Sequence, residues 1–313
     1  MKRVIGISET VFDILFRDGK PVAGVPGGSV FNGMISIGRT GIEGYMISDA
    51  GDDQIGALTT DFMVSNGVSA DYVTRHKGKK SDISVAFLNE SNDAVYSFYK
   101  DYKNPQRDFL YPPVNDGDVI LFGSYYALNP DIRPKTGPFL RHAKEQGAIL
   151  YYDLNFRPNH SHEKERLMDT VIENITLADI VRGSSDDFNI LYGTSDSQHI
   201  WDTYIKERCS SFIMTRGSDG VTLHTRAGRM DYPSKAIQTV STIGAGDSFN
   251  AGIVYGLVRH DIARSAIPAL DNTLWDKLIG YGIEFGSEVC QSTENYISRE
   301  LAQAYRLPEP VRK

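Results

Sequence analysis

Short apolar runs and helix-period stripes alternate along most of this 313-residue chain. Val4–Ile7 is continuously apolar, the mark of a strand buried on both faces, and residues 11–16 predict a second short strand. Gly27-Gly28 turns the chain into a helix through Val30, Met34 and Ile37, ended by Gly38 and Gly41. Residues 45–48 predict a strand, and residues 54–65 a helix closed near Gly67. The rhythm then changes. Residues 83–88 and 94–99 alternate in the strand manner, separated by the polar run 89–93, which is hairpin chemistry. Alternation of strand and helix resumes with a strand at 119–122. Asn129-Pro130 reads as a cap with proline at the first helical position, opening a helix that Gly147 stops. Residues 149–152, ending at Asp153, and residues 180–182 and 212–215 predict further strands. Two long helices close the chain, from Gly246 to about Arg259 and from Leu274 to about Cys290. The pattern predicts an α/β fold with a mostly parallel sheet covered on both faces. The pieces near 11–16 and 83–99 predict a small β appendage positioned as a lid.

Composition narrows the function classes. A hydrophobic content of 41% supports a substantial core. The net charge of −7 is spread without a basic arm or stripe, which argues against nucleic acid as a partner. An anionic substrate must therefore be held by local groups. Cys209 and Cys290 form no CxxC pair, so neither a disulfide framework nor a thiolate zinc site is indicated, and both read as small core residues. Met-Lys-Arg leads straight into Val4–Ile7 with no signal-type apolar region, and no run is long enough to span a bilayer. A cytoplasmic setting is the expectation.

The most informative stretch is Thr242-Ile243-Gly244-Ala245-Gly246-Asp247. Three small residues opening a helix expose backbone N–H groups where the helix dipole favours an anion. Asp247 puts a carboxylate beside that anion site, badly placed to bind phosphate but well placed to take a proton from a hydroxyl attacking one. In a parallel α/β sheet, ligands sit outside the carboxyl ends of the strands. Asp13, Gly27-Gly28 with Asn32, Asp153-Leu-Asn155-Phe-Arg157 and Thr215-Arg-Gly217 cluster in such positions. A lone glycine is ordinarily a turn or cap; five clusters at strand ends are not so easily explained. His160-Ser-His162 has no third ligand nearby and is expected to be a solvated loop. Gly252 and Gly256, four apart, are expected to let a helix approach its neighbour closely. Ser97-Phe-Tyr-Lys100 is either a lid contact to substrate or alternating core aromatics.

Gly27-Gly28-Ser-Val-Phe-Asn32 resembles the N-terminal signature of the ribokinase/pfkB family of sugar kinases, and residues 242–252 resemble its C-terminal signature. The resemblance spans almost the whole chain. It implies one ribokinase-like domain over 1–313, a Rossmann-like αβα three-layer fold with a β-sheet lid formed by segments near 11–25 and 83–105. It implies ATP-dependent phosphorylation of a sugar hydroxyl, with Mg2+ as the accompanying ion. Carried over residue by residue, Asp247 is the base, and Gly244, Ala245 and Gly246 form the anion hole. Arg157 faces the sugar-phosphate region, Asp13, Gly27, Gly28 and Asn32 hold sugar hydroxyls, and Thr215 and Gly217 line the nucleotide phosphates. The Walker pattern and the GxGxxG fingerprint are both absent.

Three departures from the family pattern stand out. Ser241 replaces the aspartate that, with the position of Ile243, helps hold a monovalent cation in relatives, which puts K+ activation in doubt. The magnesium-organising Asn-x-x-Glu element corresponds to Ser184-Ser-Asp-Asp187, where Asp187 keeps a shorter carboxylate and an indirect role toward Mg2+. The asparagine placed near adenine in relatives falls at about Ile283. Among substrates the Asp-x-Asn-x-Arg element and Phe-Tyr-Lys look most like the fructokinase branch, with 2-keto-3-deoxygluconate kinase and ribokinase as alternatives. A non-catalytic sugar- or nucleotide-binding regulator is the reading from another class. Lids of this kind pair in the family, so a homodimer through the lid is expected, with sugar and ATP as small-molecule partners and no membrane.

Overall fold

A computed structural model describes residues 2–88, 94–100 and 110–308. The described strands are β1 (Val4–Ile7), β2 (Val11–Arg17), β3 (Lys20–Gly27), β4 (Gly44–Gly51), β5 (Val68–Ser69), β6 (Val73–His76), β7 (Ile83–Leu88), β8 (Ala94–Tyr99), β9 (Val119–Gly123), β10 (Ile149–Asp153), β11 (Ile180–Ser184), β12 (Ser211–Thr215), β13 (Val221–Thr225) and β14 (Gly228–Tyr232). The helices are α1 (Ser29–Arg39), α2 (Gln54–Ser65), α3 (Arg133–Glu145), α4 (Lys164–Leu177), α5 (Ser185–Tyr192), α6 (Ser197–Ile200), α7 (Ala245–Arg259), α8 (Asn272–Val289) and α9 (Arg299–Ala304).

The main sheet runs β14-β13-β12-β11-β10-β9-β1-β4-β5, with β6 pairing the far end of β4. It is parallel from β12 to β5 and antiparallel only at β13 and β14. Its central strands β1 and β9 carry no polar side chain because both faces are covered. Val4, Leu121 and Tyr151 share one core with α1, α7 and α8, whereas Ile5, Ile7, Phe122 and Tyr152 share another with α3 and α4. A second sheet, β3-β2-β7-β8, pairs β2 with β7 in parallel and its outer strands antiparallel. Among the described residues no helix is long and apolar enough to cross a membrane.

Several elements depart from the sequence pattern. Asn129-Pro130 does not start a helix. The Asn129 side chain accepts the Asp131 N–H (3.0 Å) and its carbonyl accepts those of Ile132 and Arg133, making a turn. α3 begins one turn later, at Arg133, with Pro134 in its first turn. Both prolines suit a first turn, and only the second is followed by a stripe that reaches the core. β3, β13 and β14 escape the apolar pattern because glycine, proline and charged residues dominate β3 and β14, and β13 lies in a short antiparallel ribbon. Cys209 is a buried core residue, but Cys290 is half-exposed at the end of α8. The connection 89–93 and residues 101–105 lie outside the described residues.

α7 and α8 pack backbone to backbone. A Cβ on Gly252 would sit 2.6 Å from the Gly282 nitrogen and on the Tyr281 carbonyl, and one on Gly256 would press the Tyr281 ring at 2.9 Å. Alanine is worth about 1 kcal/mol over glycine in a helix interior. Overpacking of this kind costs about 1–3 kcal/mol and falls on backbone that cannot move aside. Gly252→Ala is therefore expected to lower the thermal unfolding midpoint, and a raised midpoint would show that the helices have room to separate.

Candidate active site

β1 leads through α1 to β4 on one side of the sheet, whereas its other neighbour β9 leads through α3 to β10 on the other, so the two connections run in opposite directions. This is the switch point at which α/β sheets open a crevice beyond their carboxyl ends. Glu9, Asp153, Ser184 and Thr215 stand at or just past those strand ends.

Two helices enter the crevice by their N-termini. α1 starts from Gly28, whose φ of 126° and whose approach to the Glu9 carbonyl, 2.8 Å from where a Cβ would lie, both require glycine. α7 starts from Gly244 in the left-handed region at φ 79°, pressed on the Asn295 backbone. The first bond closing α7 runs from the Ser248 N–H to the Gly244 carbonyl at 2.8 Å. The Gly246 and Asp247 N–H groups precede it and belong to the donors a helix start leaves without intrahelical partners. α1 crosses α7 at Gly33, where a Cβ would lie 3.1 Å from the Asp247 carbonyl oxygen. That close crossing lets Asn32 Nδ2 donate to Asp247 Oδ2 at 2.9 Å, across 215 residues of sequence.

Asp247 is buried, and burial pushes its carboxyl up to about 7. The Asn32 donation and the nearby cations Arg157 and Arg182 hold it down, while Asp153 pushes it further up. A carboxyl poised near neutrality is suited to accept a proton at physiological pH. Arg157 lies four residues beyond the end of β10, at the start of a short 3-10 turn at Pro158–Glu163; it is exposed there and does not end the strand.

Thr215 ends β12, and its hydroxyl accepts from Arg182 Nη2 at 2.6 Å. Gly217 follows in an open turn at φ 54°, with nothing within 4 Å of its Cβ position. Ser184 and Asp187 form a reciprocal capping box on α5. The Ser184 N–H and hydroxyl both donate to Asp187 Oδ2 at 2.7 Å, and the Asp187 N–H donates to the Ser184 hydroxyl at 3.1 Å. Burial raises the Asp187 carboxyl, and Asp153 adds to this. The Ser241 hydroxyl accepts the Ile243 N–H at 3.2 Å, so the residue at the expected cation position is engaged in a local turn.

Asp13 lies within β2, between β3 and β7. Its carboxylate accepts from the Ser84 hydroxyl and abuts Gly27, where no side chain fits. Burial pushes it up to about 6, against the Ser84 donation. The second sheet also brings Lys100, named in the sequence, to two carboxylates that the sequence did not single out. Lys100, just past β8, meets Glu9 at 2.5 Å and Asp82 at 3.7 Å. Burial pushes Asp82 up to about 7 despite Lys100, with Glu9 and Asp49 adding to the rise. His160 is no solvated loop residue: it stacks on Tyr125 with ring centroids 3.8 Å apart and reaches Glu163. Among the described residues no group of three His, Cys, Asp or Glu is placed to hold a metal ion. Arg182 was also missed. A single charge inside the run Ile180-Val-Arg-Gly was the available signal.

Known proteins align with this architecture throughout. The aminoimidazole riboside kinase from Salmonella enterica, complexed with aminoimidazole riboside and an ATP analog, superposes with a TM-score of 0.82 at 22% identity, covering 97% of this chain and 99% of that one. A fructokinase double mutant from Vibrio cholerae O395, in its fructose-, ADP- and potassium-bound form, gives 0.81 at 21% identity over 94% of both chains. The fold is thus ribokinase-like. Residues 5–300 match the model of the pfkB family carbohydrate kinases, and the chain belongs to that family: it is a sugar phosphotransferase. A probable fructokinase-4 of Arabidopsis thaliana is 25% identical over 82% of this chain and 80% of its own. The aminoimidazole riboside kinase of Salmonella typhimurium is 24% identical over 83% and 82%.

A raised carboxyl carries a stability consequence. Asp247 binds its proton more tightly folded, at about 7, than at the ordinary 3.8. The folded state therefore loses stability as pH rises from about 4 through 7. Asp247→Asn should be more stable than the wild type above pH 7, by on the order of 1–3 kcal/mol, and the gap should close toward pH 4. Thermal unfolding across that range measures it, and a less stable variant at high pH would mean that the carboxylate is well solvated.

Proposed function

We propose that this chain transfers the γ-phosphoryl of ATP to a hydroxymethyl group of a neutral sugar, fructose. The observation that carries the reading is the Asn32–Asp247 hydrogen bond, which joins the two glycine-rich signatures around one buried carboxyl. In this reading the sugar hydroxyl attacks phosphorus in line and gives its proton to Asp247. The Gly246 and Asp247 N–H groups, at the end of the Gly244-Ala245-Gly246 turn, and the Arg157 guanidinium receive the charge that develops on the transferring group. The Ala245 N–H is engaged by the Thr242 carbonyl at 3.3 Å. Phosphoryl transfer is mostly positioning and charge stabilisation, which such a helix start supplies. Asp13, Gly27, Gly28 and Asn32 hold sugar hydroxyls, and Thr215 and Gly217 line the nucleotide phosphates.

Mg2+ fits as an ion that arrives with the nucleotide, held by phosphate oxygens and water and screening the phosphate charge. Asp187 is assigned an indirect role toward it, because one of its oxygens already caps α5. Ser241 is neutral and bonded to Ile243, which supports turnover that needs no potassium.

The preference for a neutral sugar over a sugar acid rests on Lys100. Two carboxylates, Glu9 and Asp82, already engage it, so it is not free to meet a substrate carboxylate. The second sheet acts as a lid in this proposal, and its exposed Val22, Phe87 and Tyr99 support pairing of two lids in a homodimer.

ATP-coupled turnover should be highest in kcat/KM with fructose among fructose, 2-keto-3-deoxygluconate, ribose and aminoimidazole riboside, and alike in potassium and sodium salts. Asp247→Ala should lower kcat by about 10²–10⁴-fold. Preference for the keto-acid would overturn the substrate assignment, and retention of wild-type kcat by Asp247→Ala would overturn the base.

A further inference from the structure

The crevice contains a buried cation that the reaction just described does not use. Arg182 sits on β11, 6% exposed, directly beneath the first turn of α7. A Cβ on Gly246 would lie 2.8 Å from Arg182 Nη2 and 3.1 Å from Nη1, so the guanidinium fills the space that a side chain at the anion turn would take. Nη1 donates to Asp153 at 3.0 Å and Nη2 to the Thr215 hydroxyl at 2.6 Å, while Nε is buried without a hydrogen-bond partner. Asp153 in turn accepts from Asn250 on α7 (2.9 Å), and Asn250 accepts from Tyr151 at 2.9 Å. One guanidinium thus ties the carboxyl ends of β10, β11 and β12 to the helix start that carries Asp247.

We infer that Arg182 is a positioning residue for the nucleotide's phosphates. Two features carry this. A threonine hydroxyl has one hydrogen to give, and Thr215 uses a lone pair to receive Arg182, so its own hydrogen is left to donate outward to a phosphate oxygen. The guanidinium also places a permanent positive charge behind the Gly246 N–H, in a dry setting where such a charge acts strongly on an anion at the turn. Burial opposes that charge, but Asp153, Tyr151 and Asp187 outweigh it, and the guanidinium stays protonated. A purely structural ion pair would have no reason to lie against the first turn of α7, where it excludes a side chain at Gly246, nor to aim a hydroxyl at the strand end.

The inference rests on the α7 start being the phosphoryl site. Steady-state kinetics of Arg182→Met and Arg182→Lys test it, with Thr215→Val as a second probe. Arg182→Met should lower kcat/KM for ATP by about 10²–10³-fold, as loss of an electrostatic donor does. KM for the sugar should hold, and Arg182→Lys should recover most of the loss. Thr215→Val should cost far less in the Arg182→Met background than alone, because the hydroxyl is no longer aimed. The low-pH limb of kcat/KM should also move to higher pH in Arg182→Met, since a cation favouring the Asp247 carboxylate is gone; Asn32, Arg157 and Asp153 still face that group. If Arg182→Met does not accumulate as folded protein, Arg182→Gln, which keeps hydrogen-bond donors without the charge, decides: a lowered kcat/KM for ATP with an unchanged sugar KM supports the inference, and wild-type use of ATP overturns it. It is equally overturned if Arg182→Met uses ATP like the wild type, or if its loss falls on the sugar KM. Asp247→Ala separates the two claims. Turnover retained there means that the phosphoryl site lies elsewhere, whereas an inactive Asp247→Ala beside an unimpaired Arg182→Met removes only the role of Arg182.

Discussion

One hydrogen bond, from Asn32 to Asp247, holds the candidate site together, and the packing of two helices makes it possible. α1 and α7 meet at Gly33, a position where a larger residue would push the Asp247 backbone away. Below that crossing the Ser36 and Ser248 hydroxyls pair at 3.2 Å, and the Ile297 N–H donates to Ser36. These short contacts fix the angle at which both helix N-termini point into the crevice. A buried carboxyl is costly when ionised, and a side-chain donor fixed in place offsets part of that cost. The compromise leaves Asp247 poised near neutrality, where a proton acceptor is most useful.

The same economy governs the rest of the crevice. Arg182 and Asp153 are both buried, and each is tolerable only because the other is there, with Thr215 and Asn250 completing the set. Removing one partner of such a pair leaves a buried charge uncompensated, which costs far more than the pair contributes. On the sugar side, Lys100 joins Glu9 to Asp82 and so ties the second sheet to the end of β1. The cations Arg182 and Lys100 are therefore both held in ion pairs, in a chain of net charge −7 that attracts anions only locally.

Much of this was legible in the sequence, for identifiable reasons. Residues 54–65, 83–88 and 94–99 were bounded correctly because capping and turn residues mark their ends. The Gly244–Asp247 turn was legible as a helix start because its chemistry is local: three small residues, then an acid, then a helical stripe. Gly252 and Gly256 were legible as a close helix contact for the same reason. What the sequence did not disclose is non-local. Nothing adjacent to Asn32 says that it meets Asp247, and Arg182 looks like an ordinary charge until β11 is seen to end beneath α7. Lys100 could be read as a substrate contact, yet its pairing with Glu9 and Asp82 arises only when the second sheet is laid over β1. Asn129-Pro130 misled because a turn and a helix start share the same capping chemistry, and only packing decides between them.

The central claim is that a carboxyl held near neutrality by burial takes the proton from the attacking hydroxyl. The pH dependence of kcat/KM for the sugar, at saturating nucleotide, tests it most directly. The account predicts a loss of activity on acidification with a midpoint near 7, the value set by the buried Asp247. Activity sustained down to the ordinary carboxylate range, near 4, would contradict it.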